Sequence, residues 1–207
     1  MKDRKKLLNK RTSNIAKVGA GFFGTKGFVE TSMEDIAASA KLSKGGIYHY
    51  FQSKTELLNY VLDSFMDIVL KDLNEDLDKV ENGPEKLKKL ISRHVELYTE
   101  HMYEAKTLIN EAHNLPSKFR REIIVKEREY LRTTFGVVSD YLTLLFGVSM
   151  EKSQVTAITF SLLGMCNWIY SWYNPKGPVT AQELSEIIYQ IFTRGIGKGP
   201  ILKKPKK

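Results

Sequence analysis

Three groups of residues have types and spacings that carry chemistry. The first is Gly19-Ala20-Gly21-Phe22-Phe23-Gly24, a G-x-G-x-x-G run preceded by Asn14-Ile15-Ala16-Lys17-Val18 as a possible short strand. Between a strand and a helix, such glycines let the backbone approach a pyrophosphate, as in a dinucleotide-dependent enzyme. The context argues against that enzyme. A full helix must follow the third glycine, yet Gly27 comes three residues later, and no further strand–helix–strand pattern follows. The second group is Lys118, Arg121, Arg128 and Arg132, a basic stripe at near-heptad spacing beside an i,i+4 Glu122–Lys126 pair. It reads either as a solvated helix face or as an anion subsite at a pocket mouth. The third is His94, His101 and His113; no acid or cysteine at ligand spacing completes a metal site. There is no activated nucleophile, catalytic carboxylate pair or phosphate loop, so neither an enzyme, a cofactor nor a metal is expected.

These residues must sit on helices. Almost every stretch has helical periodicity, and no Asn-Gly or Asp-Gly hairpin signal occurs. After a basic arm over the first ten residues, a helix is expected from Thr12 to Lys26, stopped by Gly27. Thr31-Ser32-Met33-Glu34 reads as a capping box, with Glu34 reaching back. It opens a helix carrying Met33, Ile36, Ala37 and Ala40 on one face. Ser43 caps a short helix through Ile47 and Tyr50. Ser53-Lys54-Thr55-Glu56 is a second box, opening a long amphipathic helix with Leu58 to Leu73 on its inner face. Further helices are expected over Glu85–His101, on to Leu115, from Pro116-Ser117 to Phe146-Gly147, and over Ser149–Tyr173. The last is opened by Thr180-Ala181-Gln182-Glu183 and stopped by Gly195 and Gly197.

Two short helices joined by a three- or four-residue turn form a helix-turn-helix. Ile36, Ala37, Leu42, Ile47 and Phe51 supply its small core, and Gly45 and Gly46 suit a place where backbone must approach another surface. Charge agrees. Residues 1–54 hold 11 Lys/Arg against 4 Asp/Glu, a net of +7, whereas residues 55–197 are at −4. Residues 198–207 add five lysines, expected to be a disordered tail. A basic head on an acidic body suits a polyanionic partner.

The run from Gly27 to Leu58 resembles the DNA-binding signature of the TetR family of bacterial repressors. The resemblance rests on Thr31-Ser32-Met33-Glu34-Asp35-Ile36-Ala37, Ser43-Lys44-Gly45, Ile47-Tyr48-His49-Tyr50-Phe51 and Ser53-Lys54-Thr55-Glu56-Leu57-Leu58. It covers about a quarter of the chain. It implies an all-α homodimer with two DNA heads and a small-molecule cavity in each larger C-terminal domain. Lys44, Gly45, Tyr48 and His49 would then face the major groove of double-stranded operator DNA, and Thr31, Ser32, Tyr50 and Lys54 would hold phosphates. The two recognition helices would lie about 34–36 Å apart, over an inverted repeat. Gly19, Gly21 and Gly24 depart from the family pattern for the first helix. The implied division is a head over 1–54, a ligand-binding and dimerisation domain over 55–197 and a tail over 198–207.

In the body, Val155, Ile158, Leu162, Met165, Ile169 and Trp172 recur at spacings of three and four, an a/d stripe. With Leu184, Ile187, Ile188, Ile191 and Phe192 of the last helix it is expected to form the dimer interface, as the resemblance implies. The residues singled out there are Ile158, Leu162, Met165, Ile169, Leu184, Ile188 and Ile191. Tyr98, Met102, Tyr103, Phe135, Trp168 and Trp172 are expected to wall an apolar pocket, with Arg128 and Arg132 at its mouth. Leu163 to Pro178 resembles the C-terminal region of TetR-like regulators of acyl-CoA catabolism, which implies an acyl-CoA effector; a planar drug or dye is the alternative. No membrane role is expected. The lone Cys166 reads as an inert core thiol, and a cytoplasmic location is expected from cysteine usage and the absence of a signal-peptide pattern.

Overall fold

The computed structural model describes residues 2–81 and 83–195, with side chains described from Leu8 onward. Among the described residues every regular element is helical. The α-helices are α1 (Lys2–Lys26), α2 (Met33–Ser39), α3 (Lys44–Tyr48), α4 (Lys54–Leu70), α5 (Leu73–Asp78), α6 (Pro84–Glu100), α7 (Met102–Glu111), α8 (Ser117–Phe146), α9 (Lys152–Asn167), α10 (Ile169–Trp172) and α11 (Ala181–Arg194), with a 3-10 turn at Ala112–Asn114. The expected basic arm is the start of α1, which runs on from Lys2. The expected lysine tail lies outside the described residues.

The chain divides into two compact units. One takes the described residues up to Ile68 with His101–Glu127; the other takes Val69–Glu100 and the described residues from Arg128 onward. The expected boundary at 54/55 therefore falls inside the first unit, because α4 and α7 complete the core on which the head is built.

In the first unit, α1 packs on α7 and α2. Ile15, Ala20, Phe23, Ile36, Ile47, Leu57, Leu58, Leu62 and Phe65 are buried together. The glycine run lies inside α1, and two of its glycines have steric work. A Cβ at Gly19 would stand 3.0 Å from Leu57 Cδ2, and one at Gly24 would meet the Tyr103 carbonyl oxygen at 3.2 Å. The glycines let α4 and α7 approach α1. They form no phosphate loop, since no strand precedes them. Lys126 sits between two carboxylates of α4, 2.5 Å from both Asp63 and Asp67, in place of the expected i,i+4 pair with Glu122. Partial burial lowers the Lys126 pKa, but the two carboxylates outweigh it and hold the ammonium above its usual range.

In the second unit, α6 packs on α11, α10, α9 and α5. Leu87, Leu90, Ile91 and Val95 of α6 are buried, as are Leu162, Cys166 and Ile169 and, from α11, Leu184 and Ile188. Burial pushes the Cys166 thiol up to about 12, consistent with an inert core residue. The long helix expected to reach Leu73 stops at Leu70 instead. Arg93 donates to the carbonyls of Val69 and Lys71 and pairs with Asp76 at 3.0 Å, while Asp72 takes a left-handed φ of 54°. A cation on the last carbonyls ends the helix where the sequence pattern would continue it. The expected Ser149–Tyr173 helix starts at Lys152 and breaks at Trp168. No helix of the described residues is long and apolar enough to cross a membrane.

Candidate nucleic-acid interface and effector cleft

The head is built by caps. Ser32 Oγ accepts from Asp35 N at 3.1 Å and the Asp35 carboxylate accepts from Ser32 N at 3.3 Å. The first capping box is thus one residue later than expected, and Glu34 is left to pair with Lys44 at 2.8 Å. The chain turns back at Ala40–Leu42: Ala40 N donates to Ile36 O, Leu42 N donates to Ala37 O, and Lys41 takes a φ of 57°. Ser43 Oγ then accepts from Gly46 N at 3.0 Å and starts α3. A Cβ on Gly46 would crowd that hydroxyl at 3.1 Å, whereas one on Gly45 would meet nothing. Gly46 therefore serves the cap, and Gly45 leaves open backbone. In the second box, Ser53 Oγ accepts from Glu56 N, but the Glu56 carboxylate takes Gln52 N rather than Ser53 N.

Lys44, Gly45 and His49 are exposed on α3 and its end; Ser32, Tyr48 and Tyr50 are half-buried. Among the described residues, no side-chain hydrogen bond or ion pair engages His49 or Tyr50. Two residues expected at phosphates are engaged inside the head instead. Thr31 is 2% exposed and its hydroxyl donates to Gly27 O at 2.7 Å. Lys54 Nζ donates to the carbonyls of Phe28 (2.7 Å), Thr31 (2.7 Å) and Val29 (3.1 Å), and lies 4.5 Å from the Phe28 ring centroid. Three carbonyls of the α1–α2 loop have no helical donor, and one ammonium satisfies them. Lys54 ties that loop to the start of α4.

In the second unit a cleft of about 400 Å³ opens between α8 and α9. Arg128, Arg132 and Lys152 line it with Leu131, Phe135 and Phe160, and no carboxylate does. The structure brings together three of the expected ligand residues, Arg128, Arg132 and Phe135. The others do not line this cleft. Met102 and Tyr103 belong to the first unit, and Tyr103 is exposed against α1. Tyr98 is buried, stacked on His94 with ring centroids 4.3 Å apart. Trp168 and Trp172 are 62% and 56% exposed and do not line this cleft.

The residues expected at the dimer interface divide by burial. Leu162, Ile169, Leu184 and Ile188 are buried within their own chain, and Ile158, Met165 and Ile191 are half-buried. The buried positions of α9 are Val155, Thr159, Leu162 and Cys166, of which Val155 and Leu162 belong to the a/d stripe. The outward face of α9 carries Ala157, Phe160, Ser161 and Gly164, with Ala157, Phe160 and Gly164 at spacings of three and four.

Residues 15–61 match the family described as bacterial regulatory proteins, tetR family. Residues 80–196, more than half of the chain, match the tetracyclin repressor-like C-terminal domain. The chain belongs to the TetR family. It is similar to the HTH-type transcriptional repressor KstR2 of Mycobacterium tuberculosis strain H37Rv, at 26% identity over 92% of this chain and 95% of that protein. Among solved structures it resembles a TetR-family regulator from Bordetella parapertussis, with a TM-score of 0.80 at 28% identity over 89% and 95% of the two chains. It also resembles AibR in complex with isovaleryl coenzyme A and operator DNA, with a TM-score of 0.75 at 25% identity over 87% and 97%.

As a TetR-family transcriptional regulator the chain is not an enzyme. Sequence reasoning passed over Lys152 and Phe160 in the cleft and Arg93 at the end of α4. It also gave no sign of the 2.7 Å contact between His94 Nδ1 and the Tyr130 hydroxyl. Those contacts join residues 17 to 36 positions apart, beyond the reach of periodicity.

Proposed function

We propose that this TetR-family regulator is a homodimeric repressor that leaves an inverted-repeat operator when an acyl-CoA thioester enters the α8–α9 cleft. The lining of that cleft carries the reading: three cations, an apolar floor and no opposing acid. A polyphosphate head suits Arg128, Arg132 and Lys152, and an acyl chain suits Leu131, Phe135 and Phe160. AibR, which has the same fold, binds isovaleryl coenzyme A and operator DNA. On the DNA side, Lys44, Gly45, Tyr48 and His49 meet base edges, and Ser32 and Tyr50 meet phosphates. Thr31 and Lys54 hold the head that presents them. The subunits meet through the outward face of α9.

Release follows if the ligand favours one arrangement of α8 over another. Lys126, two residues before Arg128 on that helix, grips Asp63 and Asp67 of α4, so a displaced α8 pulls on the helix that leads from the head. The test is to titrate the protein–operator complex in parallel with acyl-CoAs, the matching free acids and cationic dyes. Release by a thioester but not by its free acid, lost on Arg128→Ala or Arg132→Ala, supports the proposal. Release by dyes alone, or release unchanged in the arginine variants, removes it.

A further inference from the structure

A second cavity, of about 270 Å³, lies wholly within the DNA-binding unit, between α1, α4 and the start of α7. Its lining differs in kind from that of the effector cleft. Lys17 and Glu104 face it from α1 and α7 with the hydroxyls of Ser13 and Ser64, and Phe65 and Val61 form its buried floor. His101 stands at the junction of α6 and α7, with its ring 6.1 Å from that of Phe65.

Two observations together point to a ligand. The cavity has an apolar floor and a polar rim, the arrangement by which small-molecule sites gain burial and orientation at once. Its two full charges have opposite sign, yet neither is engaged. Lys17 and Glu104 pair neither with each other nor with any other described residue. Glu104 is half-buried at the rim, and Lys17 stands exposed on the opposite helix. An ammonium and a carboxylate on the rim of one apolar floor match a single molecule carrying the complementary charges and an apolar body.

We propose that this cavity binds a small zwitterionic metabolite of the neutral α-amino acid class. Lys17 takes the carboxylate, Glu104 takes the ammonium, and the side chain lies on Phe65. The volume is below the roughly 300–1,000 Å³ of drug-sized sites, in keeping with a ligand of amino-acid size. An occupant bridges three helices of the unit that carries the helix-turn-helix and so stabilises it by mass action. It is independent of the acyl-CoA reading, because the two cavities share no residue.

The experiment is isothermal titration of the full chain with alanine, leucine, methionine, phenylalanine and tryptophan. Phenethylamine and 3-phenylpropionate serve as singly charged controls. At least one amino acid should bind with one site per chain, and the singly charged controls more weakly. Lys17→Met and Glu104→Gln should each weaken binding by about tenfold or more, Lys17→Arg should restore most of it, and Arg128→Ala should leave it unchanged. Thermal melts of the unliganded variants at the wild-type midpoint show that the fold is intact. Absence of binding by all five amino acids overturns the proposal. So does binding that survives both charge removals, is matched by the singly charged controls, or is lost with Arg128→Ala.

Discussion

Lys44 Nζ lies 2.8 Å from Glu34 Oε1, an ion pair that joins the two helices of the helix-turn-helix. Hydrogen bonding to Lys44 holds the Glu34 carboxyl below its usual range, and the same contact holds the lysine above its own. Both groups are solvent-exposed. An exposed pair of this kind is easily exchanged for a phosphate or a base edge. Lys44→Ala should therefore weaken operator binding and reduce the slope of log K against log salt by about one. Glu34→Gln, which frees the lysine, should strengthen binding. A shift assay across a salt series reads both; an unchanged slope for Lys44→Ala would remove Lys44 from the contact set.

Lys54 behaves differently, because its ammonium is bonded to Phe28, Val29 and Thr31 carbonyls. Lys54→Met should destabilise the protein by about 2 kcal/mol, the scale of charge-assisted hydrogen bonds to part-buried carbonyls. The melting temperature should fall while the salt slope of the remaining binding stays at the wild-type value. Loss of one unit of slope with no change in melting would return Lys54 to the phosphate-binding role.

The two faces of α9 give a paired prediction. Leu162 is buried in its own chain, so Leu162→Asp should cost several kcal/mol and unfold the second unit. Phe160 is 55% exposed, so Phe160→Asp should leave the fold intact and shift sedimentation from dimer toward monomer. Circular dichroism and analytical ultracentrifugation separate the outcomes. A folded, fully dimeric Phe160→Asp protein would place the interface elsewhere.

His94 makes stability depend on acidity. Burial lowers its pKa from 6.5 to about 4, with Asn167 opposing, and the neutral ring meets the Tyr130 hydroxyl. The unfolded chain therefore binds more protons than the folded one between those values. Above about pH 6.5 the effect is absent. As pH falls toward about 4 the protein should lose about 3 kcal/mol from this group. His94→Phe should flatten that stretch of the stability–pH curve, as chemical denaturation at a series of pH values would show.

The sequence made the elements legible because periodicity and caps are local. The Thr180–Glu183 capping box is where it was expected, and Met33, Ile36, Ala37 and Ala40 line the inner face of α2. Direction was harder. The Leu162–Ile169 stripe is a true apolar stripe, but period alone does not say whether its partner is the same chain or a second one. Trp168 and Trp172 are large and apolar, which in composition resembles a pocket wall, yet the break at Trp168 turns them outward. Lys54 matches its motif by type, while its work is set by three carbonyls more than 20 residues away.

The break at Trp168 has an optical consequence. The sequence contains two tryptophans, and both stand exposed on this one short segment, 62% and 56% open. Indole emission from the native chain is therefore a label-free report on a single patch of surface. Red-shifted emission marks a patch facing water, and a blue shift on raising protein concentration or adding a ligand marks the patch as covered. The rest of the molecule contributes no indole background to that signal.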